Sequence, residues 1–154
     1  MKKILLGLFL MIGVVSFSAP KYLNTNKLEN AGYEIFTDDE DVFVFGKSTN
    51  DTKITLAFTD RKESNKDTAK KASDEFKAAA PSDEQYLSTR ENKRAYIHKF
   101  KSEDGYTYAF TGKKSKVKNW YISGMYVSRY KELKDNELDK VIDSLLNEAE
   151  SFIK

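Results

Sequence analysis

"RAYIHKFKSEDGYTYAFTGK", residues 94 to 113, carries the strongest strand signal in the chain. Apolar and aromatic side chains alternate with polar ones on both sides of Glu103-Asp104-Gly105. A period of two marks extended strands, and a Gly at the end of the loop suits a three-residue hairpin turn. Pairing around that loop sets Phe100 opposite Tyr108 and His98 opposite Phe110, with Tyr96 and Tyr106 on the same face. A slip of one residue would set Lys99 against Phe110 and Lys101 against Tyr108, splitting the aromatic set. The opposite face, with Ala95, Ile97 and Ala109, is only half polar, which points to helices over both sides of the sheet.

Upstream, short strands are expected near residues 33–37, 42–47 and 53–59, the first two separated by the acidic turn Asp38-Asp39-Glu40-Asp41. "NKDTAKKASDEFKAAA" places Ala69, Ala72, Phe76 and Ala79 on one helical stripe ended by Pro81. The stripe is mostly Ala, so it buries little beyond Phe76. Downstream, "VKNWYISGMYVSRY" reads as a long strand with Trp120, Ile122 and Tyr126 on one side and Tyr121, Met125 and Val127 on the other. Gly124 is read as a bulge or a bend. "DNELDKVIDSLLNEAESFIK" puts Leu138, Val141, Ile142, Leu145, Leu146, Ala149, Phe152 and Ile153 on one stripe behind Asp135 as cap. The order β-β-β-α-β-β-β-α implies an α+β domain. Its antiparallel sheet has about six or seven strands, with helices packed on it, and an α/β/α sandwich is one form this could take.

The "GYEIF" strand opening, the middle helix, the aromatic meander and the closing "LLNEAESF" helix resemble the PsbP/Mog1 type of small exported domain over most of residues 33 to 153. That resemblance implies an α/β/α sandwich that binds or assists other proteins without catalysing a reaction, and it carries over no functional residues.

The opening "MKKILLGLFLMIGVVSFSAP" has the basic head, apolar run and small-x-small exit of a secretory signal peptide, cleaved after Ser18. The apolar run is shorter than the roughly 20 residues that span a bilayer, so no transmembrane segment is expected after cleavage. The division is then a signal peptide at 1–18, a polar lead at 19–32 and one domain at 33–154. Lys2 and Lys3 equal the whole formal excess of +2, so the exported chain is balanced in charge. That argues against a dedicated nucleic-acid binder. With no Cys, neither disulfides nor thiol chemistry is available. Phe and Tyr, at 10 and 9 residues, must hold the core instead. The Lys- and Asn-rich composition behind a short signal suggests a bacterial protein that is periplasmic or secreted, with an envelope or extracellular protein as partner.

Motifs of reactive chemistry are sparse. Gly46-Lys47-Ser48-Thr49 has the tail of a phosphate-binding P-loop, but Asp41 stands where the first Gly belongs and a strand fills the interior. Gly112-Lys113-Lys114-Ser115 fails in the same way, so no nucleotide or other cofactor is expected. The single histidine, His98, excludes a histidine-rich metal site, and the acidic turn lacks EF-hand spacing because Phe43 and Val44 fall at ligand and Gly positions. No metal site is expected. A hydrolase using His98 is formally open, yet the sequence has no G-x-S-x-G elbow. His98 is read as a packing residue with one hydrogen-bonded nitrogen. The one surface candidate is "KKSKVKNWY", where Lys113, Lys114, Lys116 and Lys118 lead into Trp120 and suit an anionic polymer. Against that, lysines at a hairpin tip also keep sheet edges soluble.

Overall fold

The computed structural model describes residues 19–154, so the segment read as a signal peptide lies outside the described residues. A short helix α1 (Thr25–Asn30) precedes strands β1 (Glu34–Asp38), β2 (Val42–Ser48) and β3 (Thr52–Asp60). Helix α2 (Thr68–Ala78) leads to β4 (Gln85–Glu91), β5 (Ala95–Ser102), β6 (Gly105–Gly112) and β7 (Trp120–Ser128), and helix α3 (Asp135–Ser151) closes the chain. The strands form one sheet in the order β1-β2-β3-β7-β6-β5-β4, with every neighbouring pair antiparallel. Two meanders therefore meet at the β3–β7 seam, and α2 carries the chain from the centre of the sheet to its far edge. This is the expected α+β class, with the seventh strand supplied by β4.

Register sorts the side chains into two unequal cores. On one face, Phe43, Phe45, Leu56, Phe58, Ile97, Tyr108, Phe110 and Ile122 pack with Leu138, Ile142, Leu145, Leu146, Ala149 and Phe152 of α3. On the other, α2 lies over β5 and β6, where Phe100, Ala109 and Met125 meet Phe76 and Ala80. The α2 residues that are themselves buried are Thr68, Ala69, Ala72 and Ser73, all small. Helices thus lie on both faces, as the half-apolar pattern of the central hairpin implies.

The hairpin register differs from the one expected. Ser102 pairs with Gly105 around the two-residue turn Glu103-Asp104, so Phe100 faces Thr107, His98 faces Ala109 and Ile97 faces Phe110. Collecting the aromatics on one face is the wrong criterion for a sheet buried on both. The observed pairing gives Ala95, Ile97, Tyr108 and Phe110 to the α3 side, and His98, Phe100 and Ala109 to the α2 side. Gly105, at φ +125°, lies against the Ser128–Arg129 backbone, where no side chain fits.

Two further expectations are corrected. Gly124 makes no bulge: it pairs in step with both Leu56 and Phe110, whose side chains fill the space a Cβ would need. Asp135 is not the cap of α3, since Lys134 occupies that position in extended conformation; the Asp135 carboxylate instead meets Arg90 at 2.8 Å. The polar lead is packed, with Leu23 bridging to Ile153, Leu28 fully buried and the Asn24 N–H donating to the Phe152 carbonyl at 2.7 Å.

The two edge strands each carry a break in register, between Ile35 and Thr37 on β1 and between Tyr86 and Ser88 on β4. Bulges of this kind blunt the unpaired edge of a sheet.

The seam yields a stability prediction. A Cβ at Gly124 would meet Phe110 Cζ at 2.6 Å and both Leu56 Cδ2 and the Thr55 carbonyl oxygen at 2.8 Å. Gly124→Ala should cost about 1–3 kcal/mol in urea unfolding with an unchanged slope. Gly112→Ala, whose Cβ meets Leu146 Cδ2 at 3.3 Å, should cost clearly less; equal losses would contradict the seam as the tight point.

Candidate functional site

His98 sits at the centre of a hydrogen-bonded row between α2, β5 and β4. Its Nε2 lies 2.8 Å from Ser73 Oγ and 3.1 Å from the Ser73 carbonyl oxygen, and its Nδ1 lies 2.7 Å from Thr89 Oγ1. Thr89 Oγ1 is in turn 2.6 Å from the Tyr86 hydroxyl. The carbonyl can only accept, which favours the tautomer with its proton on Nε2. Nδ1 then accepts from Thr89, whose oxygen accepts from Tyr86. Both ring nitrogens are engaged, where one was expected, and the facing residue is Ala109 rather than Phe110.

A serine hydroxyl beside a histidine is the start of a nucleophilic pair, but this one lacks access and orientation. His98 and Ser73 are each 1% exposed, beneath α2. Among the described residues no carboxylate bonds to Nδ1, where a triad would hold one. Burial holds the imidazole pKa below its ordinary 6.5, which keeps the ring neutral at pH 7. The geometry describes a polar pin joining helix to sheet. Ser73 was missed in the sequence, although its spacing from Ala69 and Ala72 puts a hydroxyl on the buried stripe of α2.

The lysine run separates into unlike parts. Lys113 is drawn inward: its Nζ donates to Glu91 Oε2 at 2.6 Å and to the Asn92 carbonyl at 2.7 Å, and lies 4.9 Å over the Tyr96 ring. Lys116 reaches Glu150 at 3.5 Å. Trp120 is half-buried and packs edge-on against Tyr22, with ring centroids 5.3 Å apart. Lys114 and Lys118 are exposed, and neither belongs to an ion pair among the described residues. The run therefore presents two free lysines, without an adjoining stacking platform.

The remaining candidates are dispersed. Lys47 of the P-loop look-alike donates to Glu148 Oε1 at 2.9 Å, and the Tyr33 hydroxyl donates to the same carboxylate at 2.8 Å. In the acidic turn, Asp41 pairs with Lys62, and no group of three potential metal ligands occurs among the described residues. Burial raises the carboxyl pKa of Asp38 and of Glu84, but the first is on β1 and the second precedes β4, at opposite edges of the sheet. They cannot act as a pair.

Two of the clefts among the described residues border the sheet. One of about 180 Å³ lies between α2 and the β3–β7 seam, lined by Ala57, Thr59, Phe76, Tyr121 and Ser123, with the Arg61–Glu75 ion pair at its rim. The other, of about 160 Å³, lies under Phe36 where the ring covers Gly46. Both are smaller than the roughly 300–1,000 Å³ usual for small-molecule sites. Large apolar side chains reach the surface at Ile35 and Phe36 on β1, at Tyr86 and Leu87 on β4, and at Tyr130, which is 80% exposed.

A fluorophosphonate probe distinguishes a pin from a nucleophile. Ser73 should remain unlabelled in the folded chain by peptide mass spectrometry, and any esterase activity of a preparation should survive Ser73→Ala. Labelling that Ser73→Ala abolishes would establish an accessible nucleophile. No protein-family model, curated protein or solved structure matches the chain.

Proposed function

We propose that the domain is an exported, non-enzymatic binding or accessory module of the bacterial envelope that engages a protein partner. The observation that carries this reading is the distribution of reactive and sticky groups. The Ser73–His98 pair is sealed inside, while exposed large apolar side chains concentrate on the two sheet edges. Edge β4 is exposed over nearly its whole length and hydrogen-bonds to a strand on one side only. Such an edge can accept an extended segment of another chain, with main-chain hydrogen bonds for affinity and side-chain contacts for selection. The resemblance to PsbP/Mog1-type domains supports the same role.

Residues 19–154, immobilised through the C-terminus in envelope extract, should retain a partner that Leu87→Glu releases while the fold stays intact by circular dichroism. Equal retention by the wild type, Leu87→Glu and Ile35→Glu would exclude both edges.

A second reading, binding of an anionic polymer, is favoured by the exposed Lys114 and Lys118, which lack ion-pair partners. Two to four phosphate or sulfate contacts would give a salt slope of only about −2 to −4. On this reading Lys114→Glu with Lys118→Glu abolishes retention on heparin at physiological salt. Unchanged retention rules it out.

A further inference from the structure

We propose that the His98 row is an acid-sensitive latch: protonation of His98 releases α2 from the sheet while the α3 side stays folded. The two cores differ in what they can lose. The α3 side is secured by a continuous cluster of large apolar residues that also takes in Leu23, Leu28 and Tyr33. The α2 side has Phe100, Ala109 and Met125 with Phe76 and Ala80, and the buried residues of α2 itself are small. The principal buried polar tie between α2 and the sheet is Ser73 on His98, and the same ring holds β4 through Thr89. Further ties of α2 lie at the surface: Arg61 on Glu75 at 2.5 Å, Lys77 at 4.1 Å over the Tyr86 ring and Lys70 at 5.7 Å over the Tyr96 ring. One ring therefore joins α2 to the edge strand, which Arg90 also ties to α3 through Asp135 and Asp139.

The proton has a route and a cost. Thr89 and Tyr86 are exposed, so the row runs from solvent to Nδ1. On α2 the charged groups near the ring are Lys70, Asp74 and Lys77, two cations to one carboxylate. From β4 the row offers Thr89 and then Tyr86, and β6 sets Ala109 opposite. A charged imidazole would exchange water for two hydroxyls and one carbonyl, with no anion in contact. Burial is the leading cause of its lowered pKa, followed by the Ser73 backbone bond, which acts to raise it.

The sign follows from linkage. A solvated, released ring titrates near the ordinary imidazole value of about 6.5; with α2 docked it titrates lower. Above 6.5 both forms are neutral and docking is unaffected by pH. Below it the released form takes up the proton first, so each pH unit down to the docked pKa weakens docking by up to about tenfold. Local opening of this kind exposes one cooperative unit while the rest of the molecule remains native.

Hydrogen exchange of residues 19–154, read by mass spectrometry at pH 7.5 and pH 5 and corrected for intrinsic rates, tests the latch. Protection in 68–78 should fall severalfold at pH 5, with 135–151 and 52–60 unchanged. His98→Gln should remove the pH dependence. A fall shared equally by all segments, no fall in 68–78, or a fall that persists in His98→Gln would each overturn the proposal. If the variant does not fold, the wild type still decides. As the sole histidine, His98 gives one pair of ring C–H resonances, and a native-state titration midpoint at or above 6.5 overturns the latch.

Discussion

A sheet buried on both faces has no freedom of register, and the β3–β7 seam is where this protein applies that constraint. Nine consecutive pairs, from Thr52↔Ser128 to Asp60↔Trp120, join two meanders that would otherwise be separate ribbons. A slip by one residue would send Leu56, Phe58 and Ile122 to the α2 side and Ala57, Tyr121 and Met125 to the α3 side. Neither helix could then close its core. Gly124 is a close-packed point of that seam, because the Phe110 and Leu56 side chains from the flanking strands occupy the space above it.

From that seam the molecule divides its stability unevenly. The α3 face carries most of the large apolar side chains and is tied down at its rim by polar contacts. Arg90 reaches Asp135 and Asp139, Arg94 reaches Glu150, and Tyr33 and Lys47 share Glu148. Each rim contact is partly exposed and adds little alone, but together they fix the rotation of α3 over the sheet. The α2 face has few large contacts and one buried polar pin. A neutral histidine suits that position, since it offers a donor and an acceptor at once without the desolvation cost of a charge.

Much of this was legible from the sequence because period and length are local properties. The α3 stripe and the alternation in β7 predicted the correct faces, and the half-apolar back of the central hairpin predicted two helix layers. The misses have physical causes. "QYLSTRE" lacks an alternating apolar pattern because β4 is an edge strand exposed on most of its residues, so burial never shaped its composition. The hairpin slipped by one because one-face aromatic clustering was applied to a two-faced sheet. Asp135 looked like a cap, yet its partner Arg90 lies on a strand that the sequence reading had not assigned. The Ser73–His98 contact joins residues 25 apart through tertiary packing, which no spacing rule anticipates. The lysine run was visible, but its division into anchored and free members depends on Glu91, Asn92 and Glu150 folding back on it.

The broken registers at Ile35–Thr37 and Tyr86–Ser88 have a consequence for crowded solutions. Growth of an ordered fibre requires each incoming strand to find donors and acceptors at an even pitch along the exposed border. Here the pitch is interrupted on both borders, each time beside an exposed apolar side chain. Identical copies arriving in step would leave main-chain groups unmatched at every junction, so runaway stacking is disfavoured without hiding the apolar contacts from a foreign strand shaped to the interruption.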